Sequence, residues 1–275
     1  MPEPVPELPE LACSIALEAG ALAARRRAEG VEVAATKSSI VDVVTAADRE
    51  VEEFVRRRIA EARPDDAILG EEGGGTAGTS GLTWVVDPID GTVNYLYGIP
   101  FYAVSIAVVE GDPDPASWTA LAGAVSAPPL RELFHAAQGG GAFLDGRPIA
   151  VNPRPPLAQA LVGTGFAYSS ETRARQGAVV AALLPRVRDI RRQGVASLDL
   201  CAVACGRLDA SFERTLSPWD HAAGALIARE AGAVVKGHGD AAPGRDLTLA
   251  AIPGLAEELE AVLDELGVTG WDLPA

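Results

Sequence analysis

Apolar positions recur at helical spacing near the start of the chain. Leu8, Leu11, Ile15, Ala19 and Leu22 share one face, which predicts a helix. Glu7 and Glu10 at its start and Arg25, Arg26 and Arg27 at its end match the helix dipole, and Gly30 is placed to cap it. A second helix is predicted from Thr45, with Val51, Phe54, Val55 and Ile59 as its buried stripe, stopping before Pro64. The pattern then changes to short β-branched and apolar runs at 67–70, 83–86, 101–109, 121–127, 133–137 and 142–144, which predict strands. In the run at 101–109, Val104, Ile106 and Val108 fall on one face and the small Ala103, Ser105 and Ala107 on the other.

Asn152 to Pro156 reads as a stiff joint. Beyond it strands and helices alternate: a strand at 161–166, helices at 170–184 and 196–205, and a strand at 208–212. Ser217 and Pro218 predict a helix start, with Asp220 in its first turn, and the helix runs to a Gly232 cap. Its Ala222, Ala223, Gly224 and Ala225 would let another backbone approach closely. Strands near Val234 and at 247–251, then a helix at 255–266, close the chain. The expected organisation is an α+β half with an antiparallel sheet, 1–151, followed by an α/β half, 152–275, with helices covering both sheets.

At 275 residues, with 48% hydrophobic and 22% charged, the chain can bury a full core. No charged-then-apolar leader and no run of roughly eighteen apolar residues is seen, so a cytoplasmic protein that does not enter a membrane is expected. Cys201 and Cys205 lie one helical turn apart in an apolar stretch, without further ligands at zinc spacing, and read as core residues. The net charge of −15 argues against a nucleic-acid partner, which needs clustered Lys and Arg. A small phosphorylated substrate remains compatible with that charge if cations stand between acid and phosphate.

The candidate chemistry centres on Asp87-Pro88-Ile89-Asp90-Gly91-Thr92. Pro88 is expected to end the strand, and Gly91 to supply a sharp turn and close approach to a ligand. Asp87 and Asp90 could converge on a hard cation that prefers oxygen ligands, or serve only as turn residues. Asp48 stands at capping-box spacing from Thr45, and Glu71-Glu72 enter a Gly-rich loop at 73–81; both have purely structural readings. No Walker motif, nucleophile elbow or His-Glu-x-x-His pair is present.

Together these pieces resemble the inositol monophosphatase family along nearly the whole chain. The matching stretches are Lys37-Ser38-Ser39 with Asp42 to Asp48, Gly70-Glu71-Glu72, Asp87 to Thr92, Gly194 to Leu200, Asp209 to Glu213, and Trp219 to Gly224. The resemblance implies a layered αβαβα sandwich, a homodimer, and Mg²⁺ as cofactor, two or three ions per subunit. By that resemblance Glu71, Asp87 and the Ile89 carbonyl hold one ion and Asp87, Asp90 and Asp220 a second. A third would use Glu71 and water. Thr92 with Asp48 behind it would relay a proton from the attacking water, with Glu71 also catalytic. The Gly91 and Thr92 amides would hold phosphate oxygens. The substrate would be read by Asp90, by the loop carrying Gly194 and Ala196, and by Glu213, with Thr164 or Gly165 on the same rim. Val195 stands where Ser or Thr is commoner and His221 where an apolar residue is commoner, which leaves the substrate open. Inositol monophosphate is the expected substrate, in part because Asn94-Tyr95 resembles the inositol-cleaving branch. Histidinol phosphate, or a non-catalytic regulatory role on the same scaffold, are the alternatives. A bisphosphate substrate is not expected, for want of an obvious basic pocket.

Overall fold

The computed structural model describes residues 7–31, 33–36, 43–269 and 271. Lys37, Ser38, Ser39 and Asp42, part of the family resemblance, lie outside the described residues. Helix α1 (Leu8–Glu29) buries Leu11, Ile15, Ala19 and Leu22, as its spacing predicts. Strands β1 (Val33–Thr36) and β2 (Val43–Thr45) pair antiparallel. Helix α2 (Ala46–Ala62) starts on the predicted capping box, in which Thr45 and Asp48 each bond the other's backbone amide.

An eight-stranded sheet follows. Its strands are β3 (Ala67–Gly70), β4 (Gly74–Thr76), β5 (Leu82–Asp90), β6 (Ala103–Glu110), β7 (Thr119–Ala127), β8 (Glu132–Ala137), β9 (Gly141–Leu144) and β10 (Arg147–Ile149), with a short helix α3 (Thr92–Tyr97) after β5. The spatial order is β10-β9-β8-β7-β6-β5-β3-β4, and only the β3–β5 pair is parallel. Two expectations are corrected here. Part of the Gly-rich stretch at 73–81 is a strand, since β4 folds back on β3. Strand β5 also continues past Pro88: Asp87 pairs with Ser105 and Asp90 with Ala103, so Pro88 and Ile89 together oppose Val104 alone. That two-against-one bulge accepts a residue without an N–H.

The second sheet has the order β12-β11-β13-β15-β14. Its elements are β11 (Leu161–Thr164), α4 (Ser170–Leu183), β12 (Asp189–Arg191), α5 (Ala196–Ala204), β13 (Ala210–Glu213), α6 (Pro218–Glu230), β14 (Val234–Lys236), β15 (Thr248–Ala251) and α7 (Leu255–Glu265). Both faces of each sheet are covered. Val104, Ile106 and Val108 pack with Ile15, Val51 and Val55 of α1 and α2. Ala103 and Ala107, on the other face of β6, pack with Leu198 and Cys201 of α5 and Ala223 and Ile227 of α6, where Ala250 of β15 also lies. Leu249 and Ala251 instead meet Leu255 and Leu259 of α7 and Val179 and Leu183 of α4. The period-two alternation of each strand therefore serves two helical layers, and the result is αβαβα. Among the described residues no helix is long and apolar enough to cross a membrane.

The middle helices fit because their contact residues are small. A Cβ on Gly123 of β7 would stand 3.1 Å from the Cα and carbonyl oxygen of Ala223, and one on Gly224 would stand 2.8 Å from Cβ of Leu200. Side chains at these places would push backbone apart. Gly123→Val is expected to destabilise the protein by about 1–3 kcal/mol, the usual cost of overpacking. Urea unfolding measures it, and an unchanged midpoint would show that the layers yield without cost.

Candidate active site

Strand β5 delivers its acids at its C-terminal end. On a regular strand residues three apart point to opposite faces. The extra residue in the bulge instead turns Asp87 and Asp90 to the same side, that of their partners Ser105 and Ala103, facing α5 and α6. Asp87 is buried, accepts a 3.1 Å hydrogen bond from the Ile89 amide, and shares a hydrogen bond with the Glu71 carboxyl. Glu71 is held next to it because its amide donates to the Val86 carbonyl at 3.2 Å, continuing the β3–β5 pairing. Asp90 reaches across to α5: its Oδ2 accepts the Ser197 amide at 2.7 Å, and the amides of Ala196 and Gly91 also point to it. Helix α5 has Val195 at its N-cap and no side-chain cap of its own, so Asp90 supplies one from 107 residues away. The Gly91 amide, expected to face a phosphate oxygen, is thus directed at Asp90 here.

Two further acids belong to helix starts. Asp220 completes the capping box of α6, accepting the Ser217 amide on Oδ2 at 2.6 Å. Asp48 holds Thr45 through its amide at 2.8 Å and its hydroxyl, all on Oδ2, while Oδ1 accepts Thr92 Oγ1 at 3.1 Å. Thr92 Oγ1 also lies 3.0 Å from the Ile89 carbonyl oxygen. For both acids the structural reading is correct: one carboxylate oxygen of each caps a helix start.

Crowding shows in the acidities. Asp87 is held well above the usual carboxylate range by burial, then by Glu71, Asp90 and Asp220, and Asp220 likewise by burial, then by Glu71 and Asp90. Burial pushes Asp48 up to about 6 against the pull of its Thr45 hydrogen bonds, and Asp90 up to about 6 against its Ser197 bonds. Among the described residues no three His, Cys, Asp or Glu side chains already stand at metal-ligand spacing. Asp87, Asp90 and Asp220 each direct an oxygen to a backbone amide instead. The donor set itself is all oxygen, carboxylates with the Ile89 carbonyl, which fits a hard cation such as Mg²⁺ and would relieve the mutual repulsion.

The substrate-side residues also meet. Thr164 is buried at the end of β11, in register with Phe212 of β13. A Cβ on Gly165 would fall 2.0 Å from Cδ of Glu213, so that glycine makes room for the carboxylate. Gly91 (φ +91°) makes room for Val195: a Cβ there would stand 2.7 Å from Val195 Cγ2 and 3.4 Å from the Gly194 carbonyl oxygen. Val195 is buried. In place of a hydroxyl it presses a methyl group on the turn at Gly91. His221 is buried too, both ring nitrogens unpartnered, and its ring lies 6.2 Å from that of Trp118. Burial, then Arg229, pushes it down to about 4. Neither ring nitrogen bonds an acid of the cluster.

Three residues at the site, Gln193, Asp199 and Arg192, escaped the sequence reading, and Asn94 was noted there only for its resemblance to the inositol-cleaving branch. Asn94 donates from Nδ2 to the carbonyls of Phe101 and Gln193, both at 2.9 Å, tying the turn after β5 to the loop before α5. Gln193 Nε2 donates to the buried Asp199 at 3.1 Å. Asp199 is pushed well up by burial, then by Glu213 and Asp90. Its signal was available, as an acid inside the apolar run of α5. Arg192, on the same loop, lies over the Phe166 ring and gave no local signal at all.

Two sheets between three helical layers, with buried acids where β5 meets the starts of α5 and α6, define a layered phosphatase fold. A family model described as "Inositol monophosphatase family" matches residues 6–266. The chain is 46% identical over 272 residues to the inositol-1-monophosphatase of Mycobacterium leprae (strain TN), covering 91% of each. It is also 46% identical over 202 residues to the Nus factor SuhB of Xylella fastidiosa (strain Temecula1), covering 72% of this chain and 70% of that protein. The solved structure of Mycobacterium tuberculosis SuhB superposes with a TM-score of 0.80 at 43% identity, over 95% of this chain and 97% of that one. The chain belongs to the inositol monophosphatase family. It is an enzyme of the phosphoric monoester hydrolase type.

Glu213 gives a pH test. Burial, then Asp90, raises it from its ordinary 4.5 to about 8, with Arg192 pulling back. The fold favours the protonated form, so its contribution to stability is full below pH 4.5 and is lost as the pH rises through about 8. In metal-free protein, Glu213→Gln is expected to melt progressively higher than the wild type as pH rises to about 9, with the difference narrowing toward about pH 4.5. Thermal melts in EDTA read this, and a constant difference would contradict the assignment.

Proposed function

We propose that the enzyme hydrolyses inositol monophosphate with Mg²⁺ as cofactor. The observation that carries this reading is the mutual crowding of Glu71, Asp87, Asp90 and Asp220, brought from three separate stretches of chain into one buried place. Glu71, Asp87 and the Ile89 carbonyl would hold one ion, and Asp87, Asp90 and Asp220 another. Bound Mg²⁺ supplies a Lewis acid for the leaving oxygen and makes water a nucleophile near neutral pH. Thr92 is poised to take a proton from attacking water through its hydroxyl, which already bonds Asp48 Oδ1. Asp48, pushed up to about 6, is the group that receives it. The Thr92 amide, and that of Gly91 once Asp90 turns to a cation, would hold phosphate oxygens.

Residues 1–151 carry most of the metal ligands in this reading, and 152–275 contribute Asp220 and the substrate loop of Gly194 and Ala196. Asp90 and Glu213 accept hydrogen bonds from ring hydroxyls, and Thr164 with Gly165 shapes the rim. Inositol is preferred to histidinol because of Asn94-Tyr95 and because relatives matched over nine-tenths of their length carry the inositol-1-monophosphatase name. We also infer a cytoplasmic homodimer. Exposed Tyr97 and Ile99, and a groove of about 220 Å³ between Phe101, Leu130 and Phe134 of the first half and Leu161, Leu198 and Leu208 of the second, offer a surface for it.

Phosphate release from a panel of esters tests the reading. The expected result is Mg²⁺-dependent turnover, inhibited by Li⁺, with higher kcat/KM for inositol 1-phosphate than for histidinol phosphate. A tenfold advantage for histidinol phosphate, 1.4 kcal/mol in transition-state binding, would transfer the assignment to that substrate. Absence of turnover on every ester would favour a regulatory role instead. Asp87→Asn keeps an acceptor for the Ile89 amide but removes the charge shared by both ion positions. Its kcat is expected to fall by about a thousandfold, near 4 kcal/mol, with the fold retained by circular dichroism. Near-normal turnover would sink the metal assignment.

A further inference from the structure

The hairpin that carries Glu71 has no apolar side chain to anchor it. Residues 71–76 read Glu-Glu-Gly-Gly-Gly-Thr, and β4 is exposed along its length at the edge of the sheet. Glycines gain much freedom when such a segment opens, so keeping it closed takes bonds from elsewhere. Helix α2 supplies them. Glu52 is buried in the middle of that helix. Its Oε2 accepts the Glu72 amide at 2.7 Å, and its Oε1 accepts the Gly73 amide at 2.8 Å. Arg56, one turn further on, donates from Nε to Glu52 Oε1 at 2.7 Å. The same guanidinium donates from Nη2 to the Gly74 carbonyl at 2.5 Å and from Nη1 to Thr76 Oγ1 at 3.0 Å.

Two glycines are fitted to this carboxylate. A Cβ on Gly70 would stand 2.5 Å from Glu52 Oε1, and one on Gly73 would stand 2.7 Å from it. Both oxygens of Glu52 are given to amides and a guanidinium, so its effect falls on the residue next door. The Glu71 amide is fixed to the carbonyl of Val86, the residue before Asp87, and the following amide, that of Glu72, is fixed to Glu52. The backbone from which the Glu71 side chain leaves is thus pinned at two consecutive residues, between β5 and α2, where its carboxyl meets Asp87. The Glu52–Arg56 pair adds this hold without adding net charge, which counts where carboxylates already repel one another. Asp48, Glu52 and Arg56 follow at intervals of four on one face of α2. One rigid helix therefore fixes both the partner of Thr92 and the turn of Glu71.

We propose that Glu52, with Arg56, is a positioning residue for the cation site: it keeps Glu71 beside Asp87 and so sets how tightly that pair takes up Mg²⁺. This rests on the phosphatase reading and adds to it a residue that touches neither the cation nor the ester. Groups that orient metal ligands in this way typically change metal affinity by about ten- to a hundredfold when removed.

Calorimetric titration of Mg²⁺ into the metal-free protein compares the wild type with Glu52→Gln and Gly73→Ala. Glu52→Gln keeps one acceptor oxygen, enough for one of the two turn amides, and loses the charge pair with Arg56. Gly73→Ala keeps Glu52 and its charge but drives the carboxylate off the turn, at a glycine whose φ is not in the left-handed region. Both are expected to weaken the Kd for Mg²⁺ by about tenfold or more. With inositol 1-phosphate, the Mg²⁺ concentration giving half the maximal rate should rise by the same factor, and saturating Mg²⁺ should restore most of kcat. Arg63→Gln is the control, because it breaks the 2.9 Å pair with Asp66 at the other end of α2. It should lower the melting temperature and leave the Kd unchanged, as Glu52→Gln would if Glu52 served the fold alone. An unchanged Kd in folded Glu52→Gln and Gly73→Ala overturns this proposal and leaves the phosphatase reading standing. An equal loss of affinity in Arg63→Gln overturns it too. A wild type that binds no Mg²⁺ overturns the phosphatase reading and the proposal with it. If Glu52→Gln fails to fold, the Kd of Gly73→Ala decides.

Discussion

Several carboxylates held together out of water repel one another and lose hydration, and the rest of this structure is arranged to meet that cost. Three helix starts converge on the acids. Asp48 sits in the first turn of α2, Asp220 in the first turn of α6, and Asp90 caps α5 from a strand in the other sheet. The amides at a helix start carry partial positive charge, so each acid is partly compensated by backbone before any cation arrives. That compensation is incomplete, because Asp87 has only the Ile89 amide and remains surrounded by acids. A site in this condition is primed to take up cations, and it also lowers the stability of the metal-free fold at neutral pH.

Rigid elements keep the acids from drifting apart. Trp84, Val85 and Val86 of β5 are fully or almost fully buried between two helical layers, so the strand cannot move to relax the charge at its end. The bulge at Pro88 and Ile89 then acts as a fixed re-aiming device: one added residue turns Asp87 and Asp90 to a common side. Small residues serve the same end. Gly123 and Gly224 let α6 settle between β7 and α5, which sets the position of Asp220, while Gly91 lets Val195 close over the turn.

The two sides of the site differ in how they are built. Around Asp87 the charges are acidic, with buried positions and backbone partners. Toward Phe166 and Gly194 the surface opens, and the acids Glu213 and Asp199 are accompanied by Arg192. Asn94 joins the two sides by donating to Phe101 and Gln193, so the loop before α5 is fastened to the turn after β5.

Much of this was legible along the chain. Helical and strand periodicity placed α1, α2, α6 and most strands of both sheets, though not the short β4, β10 and β12, because which face of an element is buried is written at spacings of two, three and four residues. Capping acids at Asp48 and Asp220 were visible for the same reason: Thr45 and Ser217 stand three residues before them. The motif around Asp87 identified the family. Contacts between distant residues were not legible, since no local pattern encodes them. The bulge depends on pairing with β6, the capping of α5 on Asp90, the closeness of Glu213 to Gly165 on two parallel strands, and the inward turn of His221 on Trp118. Arg192 illustrates the limit. In sequence it is the second of two adjacent arginines. Arg191 pairs with Asp189 two residues away on the same strand, whereas Arg192 lies over Phe166, a contact that only the tertiary fold makes.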